Sequence, residues 1–283
     1  MRFSVSVPNF GDFADPRMFV EVAVAAEQAG WDGVFVWDHL TFVKAEHRPI
    51  ADPWILLAAA GMITSRVLLG PMVTPVARRR PARLARELTT LDHLTGGRVV
   101  FGAGLGAPLE DEFGSFGEPT DPKTLAVLLD EGLDVLDLLW SGEQSSYRGV
   151  HTVLDDVRFL PRPVQSPRIP VWVAGRWPTR APFRRAARWD GAVPLFPGYL
   201  DQTPPSPAEV GALAAFLRAE RPAGAGPFDL VVGGRTDPGH AADIVRPLEE
   251  AGATWWEERI PFDERLDRLD PYLRRIEQGP PSL

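Results

Sequence analysis

Two polar residues, Asp38 and His39, directly follow the apolar run 33–37. A carboxylate beside an imidazole at the end of a buried strand can bind a heterocycle and protonate it or a substrate oxygen. Histidine suits this chemistry because its charge changes near neutral pH. The alternative is structural, with Asp38 capping a turn and His39 bonding to nearby main chain.

Two further apolar runs, 67–73 and 98–103, also end at residues that could contact a ligand. The first ends between two prolines, and the second ends in a glycine-rich turn, where main chain can approach a flat or phosphorylated ligand closely. A plain buried strand with a proline stop is the alternative for the first run. The candidate residues are Met72, Val73, Thr74, Gly104 and Gly106.

A possible anion site follows the apolar run 169–174, where Gly175, Arg176 and Trp177 form a tight turn before a helix. Main-chain N–H groups at a helix start can hold a phosphate, and Arg176 would add charge. Arg235 occupies a similar turn after the run 228–233. Either arginine could instead form a surface salt bridge.

The elements that position these residues alternate between short apolar runs and helical stretches. Several helices begin with proline after an acidic or hydroxyl residue, and several end in glycine. The predicted strands are 3–7, 33–37, 67–73, 98–103, 169–174, 191–195, 228–233 and 254–259. The predicted helices are 16–29, 53–64, 81–94, 124–139, 178–188, 207–220, 239–251 and 264–276.

Eight alternating strands and helices predict a (β/α)₈ TIM barrel, whose active site lies where the strands end. Residues 1–283 are expected to form a single domain, because 283 residues suit one barrel. The long connection 141–168 predicts a β-hairpin insertion before the fifth strand, with Asp155 and Asp156 near its turn, and such an insertion can act as a lid. The glycine turn 102–106 lacks the context of a dinucleotide-binding fold.

Composition and charge argue against several classes of function. The chain has no cysteine, and its five histidines form no His-x-His pair, so no metal site is predicted. A net charge of −8 argues against nucleic-acid binding, and Arg78, Arg79 and Arg80 are interpreted as a solvated loop. The longest apolar run, 54–63, is too short to cross a membrane, and Met1 leads directly into a strand without a signal peptide. A cytoplasmic protein is expected.

Four segments together resemble the bacterial luciferase-like family of flavin- and coenzyme F420-dependent oxidoreductases. The segments are 25–39, 66–74, 90–98 and 161–175. The resemblance implies a barrel with reduced FMN or coenzyme F420 in its mouth, a small-molecule substrate, a separate flavin or F420 reductase, and a homodimer.

The resemblance also implies roles for individual residues. Asp38 and His39 would face the ring and the substrate as catalytic residues. A cis non-proline peptide bond is expected at Met72-Val73, against the ring. The cofactor-binding residues would be Met72, Val73, Thr74, Gly104, Gly106, Gly175, Arg176 and Trp177, the last three at the ribityl phosphate.

One departure bears on the substrate. The F420-dependent sugar-phosphate dehydrogenases of the family carry a general-acid glutamate after the fourth-strand glycines, and this chain has Ala107 there, with Glu110 a few residues on. The resemblance therefore favours an oxidoreductase or monooxygenase. Its cofactor stays open between F420 and FMN, and its substrate stays open as well. A non-catalytic flavin-binding barrel and a phosphate-handling barrel isomerase are the alternatives.

Overall fold

The computed structural model describes residues 1–236, 239–259 and 267–283. Most of the barrel strands within these ranges are short and mainly apolar, as expected of a parallel sheet buried on both faces. They are β1 (Arg2–Val7), β2 (Gly33–Val36), β3 (Leu68–Pro71), β4 (Thr74–Pro75), β5 (Phe101–Gly104), β6 (Gln144–Arg148), β7 (Val153–Arg158), β8 (Val171–Arg176), β9 (Gly191–Leu195), β10 (Asp229–Gly234) and β11 (Trp255–Glu258).

Nine of these strands form one parallel sheet in the order β3-β2-β1-β11-β10-β9-β8-β5-β4. β3 and β4 are halves of the single predicted strand 67–73, and the peptide bond Met72-Val73 between them is cis. A parallel bridge between Leu69 and Val99 joins the two ends of the sheet. A Cβ atom at Gly70 would overlap the carbonyl oxygen of Val100, so this junction requires glycine. The predicted barrel is confirmed.

The helices begin largely where the capping signals place them. The side chains of Asp15, Asp52 and Ser206 each accept a hydrogen bond from the first turn of a helix that opens with proline. The helices are α1 (Pro16–Ala29), α2 (Pro53–Ile63), α3 (Pro81–Thr95), α4 (Leu109–Glu112), α5 (Pro122–Ser141), α6 (Ala181–Ala186), α7 (Pro207–Glu220), α8 (Ala241–Glu250) and α9 (Leu269–Glu277).

Two helices differ from the sequence prediction. α4 was not predicted, because four residues are too few to show a helical period. α6 is shorter than the predicted 178–188, since the chain between Trp177 and Arg180 forms a turn. The start of the predicted helix 264–276 lies outside the described residues. None of the helices in the described ranges has both the length and the apolar character that crossing a membrane requires.

The inside of the barrel has an aromatic floor. The floor is a cluster of buried side chains, Phe35, Val100, Trp172, Val193, Val231 and Trp255. Because alternate strand residues face inward, the positions two residues beyond Trp172, Val231 and Trp255 come next toward the strand ends, and they are Ala174, Gly233 and Glu257. The mouth above the floor is therefore lined by small residues on β8 and β10 and by a charged residue on β11.

The predicted hairpin insertion is present as β6 and β7, before the fifth barrel strand, but its turn differs from expectation. Asp155 and Asp156 lie within β7, and the turn is at 149–152. Glu131 of α5 accepts the N–H groups of Val150, His151 and Thr152. The hairpin turn therefore packs against α5 in the outer helical layer.

Candidate active site

Asp38 lies just past the end of β2, and its carboxylate is buried and fully bonded. Arg78 Nη2 is 2.8 Å from Oδ1, and Arg79 Nη2 is 3.0 Å from Oδ2. The Thr74 hydroxyl donates to Oδ2 at 2.8 Å. Both oxygens are thus occupied by protein donors, so Asp38 positions its neighbours, and its predicted direct contact with a ligand stays a prediction.

His39 follows Asp38 and is the partly exposed residue of the same hydrogen-bond network. Its Nδ1 lies 3.1 Å from Oε1 of Glu112, and its main-chain N–H donates to Asn9 Oδ1 at 3.2 Å. The Phe42 ring packs against the imidazole with centroids 4.8 Å apart. Because a carboxylate can only accept, Nδ1 carries the proton, and Nε2 of the neutral ring keeps a lone pair for proton transfer.

Glu112 anchors His39 from the end of α4. Its carboxylate accepts the N–H groups of Leu40 at 3.0 Å, Thr41 at 3.2 Å and Phe42 at 2.6 Å, and it pairs with Arg78. Burial raises the pKa of Glu112, but the hydrogen bond and charge of His39 and the N–H groups of Leu40 and Phe42 outweigh it and lower the pKa to about 2. Glu112 is therefore a fixed negative charge beside the imidazole.

Arg78 joins the two carboxylates. One nitrogen pairs with Glu112 and the other with Asp38, and the side chain is 5% exposed. Interpreting the triple arginine as a solvated loop is wrong for Arg78 and Arg79, because both pair with the buried carboxylate of Asp38. Arg80 alone is exposed. We call Asp38, His39, Arg78, Arg79 and Glu112 the β2-side cluster.

The end of the third barrel strand borders this cluster. Met72 packs against the aromatic floor, and the expected cis peptide bond follows it. Thr74 is buried, with its hydroxyl directed to Asp38. A Cβ atom at Gly104 would clash with the side chain of Val73, so these two predicted cofactor-binding residues are adjacent.

The other predicted glycines are required by packing. Gly106 has a φ of +86°, and a Cβ atom there would clash with Pro75 and Phe113. A Cβ atom at Gly175 would overlap Pro182 at the start of α6. Both glycines therefore permit close contacts within the protein. Their predicted contact with a cofactor stays a prediction.

Arg176 and Trp177 line a cavity of about 240 Å³ at the ends of β8 and β9. The exposed Arg176 guanidinium lies over the Tyr199 ring, 5.2 Å from its centroid. Trp177 packs against Phe183 with ring centroids 5.6 Å apart. The structure thus brings a cation and a cavity together beyond these strand ends, and this arrangement suits an anionic group.

Sequence reasoning missed Glu112, Arg78 and a second charged pair. Glu257 and Arg259, at the end of the last barrel strand, are joined by Arg259 Nε and Glu257 Oε1 at 2.8 Å. We call them the β11-side pair. The available signal was the charged run that directly follows Trp255 and Trp256 in the predicted strand 254–259, because charged side chains are rarely buried in a strand unless they are paired or functional. Glu110, considered as a replacement acid, is exposed.

The fold and the site together define a parallel (β/α)₈ barrel with a histidine–carboxylate pair at its mouth. The chain belongs to the luciferase-like monooxygenase family, which matches residues 1–236. An F420-dependent glucose-6-phosphate dehydrogenase of Intrasporangium calvum is 36% identical over 181 residues, which are 62% of this chain and 52% of that protein. The chain thus spans about half the length of several curated relatives that it matches.

One relative is similar along nearly the whole chain, and solved structures share the fold. An F420-dependent glucose-6-phosphate dehydrogenase of Beutenbergia cavernae is 31% identical over 279 residues, 94% of this chain and 77% of that protein. The F420-dependent tetrahydromethanopterin reductase of Methanopyrus kandleri matches with a TM-score of 0.72 at 16% identity, covering 98% and 96% of the two chains. The FMN complex of a Pseudomonas putida type II Baeyer–Villiger monooxygenase matches with the same TM-score, identity and coverage.

Proposed function

We propose that this protein is an oxidoreductase that binds coenzyme F420 or reduced FMN in the barrel mouth and acts on a small organic substrate. The observation that carries the proposal is the His39–Glu112 pair, at 3.1 Å, beside the end of the third barrel strand. It provides an imidazole with a defined tautomer beside the strand end where the family resemblance implies the cofactor ring. A non-catalytic flavin-binding barrel would not need such a pair.

The residues present fit a flat ring with an anionic tail. Ala174 and Gly233 are small inward residues above the aromatic floor, and Gly104 and Val73 lie together on one wall. Arg176 and the adjoining cavity provide a cation for a phosphate. When bound, F420 would supply a hydride acceptor or donor, whereas reduced FMN would supply the electrons for oxygen chemistry.

Within this site, His39 moves the proton. Nε2 of the neutral imidazole can accept a proton from the substrate, and the resulting positive charge lies beside the carboxylate of Glu112. Arg78 holds Glu112 and Asp38 in one arrangement, so the imidazole keeps its orientation. His39 is the proposed acid/base residue, and Asp38, Arg78 and Glu112 are positioning residues.

Coenzyme F420 is the first candidate cofactor, because the relative similar over 94% of the chain is named as F420-dependent. Reduced FMN is the second, favoured by the shared fold with an FMN-bound monooxygenase, and it would require a separate reductase. A sugar phosphate is not the favoured substrate. Ala107 stands where the family resemblance implies the general acid of sugar-phosphate dehydrogenases, and Glu112 is engaged by His39 and Arg78.

The experiment that tests the proposal is a titration of the purified protein with F420 and with FMN, each oxidised and reduced, followed by tryptophan fluorescence. Preferential binding of F420 would support hydride transfer, and preferential binding of reduced FMN would support oxygen chemistry. Binding of neither would refute the proposal. The binding cofactor is then used with a panel of alcohols, aldehydes, ketones and glucose 6-phosphate to find the substrate.

A homodimer is also proposed, and α2 is the surface that supports it. This helix is apolar at nearly every position, yet Ile55, Met62 and Ile63 are 62%, 65% and 63% exposed. A helix apolar on all sides is normally covered on all sides. Met62→Lys is expected to convert a dimer into a monomer in sedimentation velocity. Val150→Lys, at an 80% exposed residue on the hairpin turn, is the control.

A further inference from the structure

The β11-side pair is a buried ionic group with one oxygen left unused. The Glu257 side chain is 5% exposed, and its Oε1 accepts from Arg259 Nε at 2.8 Å. Its Oε2 is buried and has no hydrogen-bond partner within the described part of the chain. A buried carboxylate oxygen without a donor is costly to leave unpaired, so this position calls for an explanation.

The neighbouring residue shows that the strand can satisfy a buried glutamate fully. Glu258 faces outward, where its carboxylate accepts from Thr236 and from Trp256 Nε1 at 2.8 Å and pairs with Arg275 at 3.2 Å. Glu257 and Glu258 thus share a strand and a degree of burial. They differ in that one carboxylate oxygen of Glu257 has no donor within the described part of the chain.

Glu257 faces into the barrel mouth. Register pairs it with Gly233, two residues beyond Trp255 and Val231 of the aromatic floor, so it occupies the next inward layer. A Cβ atom at Gly233 would collide with the Arg259 guanidinium, so the guanidinium lies over the inner face of β10. The pair therefore lines the mouth directly above the floor.

The pair is on the wall opposite the proposed cofactor. In the closed sheet, β1, β2 and β3 separate β11 from β5 on one side, and β8, β9 and β10 separate them on the other. β5 ends in Gly104, beside Val73. A small molecule bound between the two walls would have the cofactor on one side and Glu257 Oε2 on the other.

We propose that Glu257, held by Arg259, is a substrate-binding residue that accepts a hydrogen bond from a hydroxyl group of the substrate. The carboxylate and guanidinium together carry no net charge, so the site favours an uncharged donor over a cation. This inference rests on the proposed function, because it places the substrate against a cofactor in the mouth. It adds that the substrate is an alcohol.

The test compares cyclohexanol with methoxycyclohexane, which has a similar shape but no hydroxyl proton to donate. Both are titrated into the cofactor-loaded protein and followed by saturation-transfer NMR. Cyclohexanol is expected to bind more tightly than the ether. Glu257→Gln, which replaces the charged acceptor by an amide, is expected to weaken cyclohexanol binding about tenfold and to leave ether and cofactor binding unchanged.

Glu258→Gln is the matched control, because Glu258 lies on the same strand as Glu257, carries the same charge and is similarly buried, but faces the opposite side of the sheet. It is expected to lower the midpoint of thermal unfolding without changing the alcohol-to-ether ratio, whereas Glu257→Gln is expected to keep the wild-type midpoint. Equal binding of alcohol and ether, no binding of either, or a loss of stability in Glu257→Gln equal to that in Glu258→Gln would overturn the inference. Failure of F420 and FMN to bind would instead refute the proposed function. In that case the alcohol and ether titrations are repeated without cofactor, so that the hydrogen bond to Glu257 is still tested.

Discussion

The two charged groups at the barrel mouth, on β2 and on β11, are built differently. In the β2-side cluster, the carboxylates of Asp38 and Glu112 accept from side chains and main chain, and Arg78 bridges them. In the β11-side pair, one hydrogen bond joins Glu257 to Arg259, and the buried Oε2 has no donor within the described part of the chain. The contrast separates two uses of buried charge. A saturated network fixes the position of another group, whereas an unsaturated carboxylate is available to a ligand.

The largest expected effect comes from removing the bridge of the saturated cluster. Arg78→Met leaves the buried Asp38 and Glu112 carboxylates without a shared partner, and we expect a loss of about 3–5 kcal/mol in the free energy of unfolding. Urea denaturation measures this change. Arg80→Met is the control, since Arg80 belongs to the same triple arginine but is exposed, and its effect should stay within about 0.5 kcal/mol. Equal effects of the two variants would show that the cluster does not contribute to stability.

Acid provides a second way to break the same cluster. The pKa of Glu112 is lowered from its ordinary value of 4.5 to about 2 in the folded protein. The stabilisation is therefore fully present above pH 4.5 and is lost as the pH falls toward 2, by roughly 3 kcal/mol in total. Glu112→Gln should be less stable at neutral pH and should show a flatter acid limb in urea titrations between these values. An unchanged acid limb would contradict the role given to Glu112.

Removal of the imidazole tests what the cluster positions. His39→Ala should reduce turnover of the substrate found in the panel about a hundredfold, near 2.7 kcal/mol of activation free energy. Cofactor affinity should change little, because the alanine removes an acid/base group and leaves the walls of the mouth in place. His151→Ala, at the exposed turn of the hairpin, should behave as the wild type. Turnover in His39→Ala at the wild-type rate would exclude the assigned role.

The smallest effect is expected at the β11-side pair. Arg259→Met removes a single hydrogen bond from Glu257, so we expect a loss of about 1–2 kcal/mol in the free energy of unfolding. The double variant Glu257→Gln/Arg259→Met should recover part of this loss, because it no longer buries an unpaired charge. A loss in Arg259→Met as large as that in Arg78→Met would remove the distinction between the two walls.

The barrel could be predicted from sequence because its signals are local. Apolar runs and helix caps such as Asp52 need only a few neighbouring residues to be recognised. Candidate site residues could be named where they follow a strand directly, as His39 does, and the family resemblance gave the cis peptide bond at Met72-Val73. The partners were missed because they come from distant segments. Glu112 reaches His39 across 73 residues of sequence, and Arg78 was interpreted as solvated because its partners cannot be read from its neighbours.

The hairpin was correctly predicted, but its turn was not. Asp155 and Asp156 suit a turn by composition, yet the turn forms four residues earlier, at 149–152, where Glu131 binds three consecutive main-chain N–H groups. Local turn preference was overridden by a carboxylate from another element. The same lesson applies at the mouth, where the acidic residues acquire their roles only from segments brought together by the barrel.

The aromatic floor of Phe35, Trp172 and Trp255 has a kinetic consequence. A barrel filled at one end has a single entrance, which the proposed cofactor and substrate would share. With the two molecules on opposite walls above the floor, each would restrict the passage of the other. Steady-state kinetics of this protein should therefore show an ordered sequence of arrival and departure.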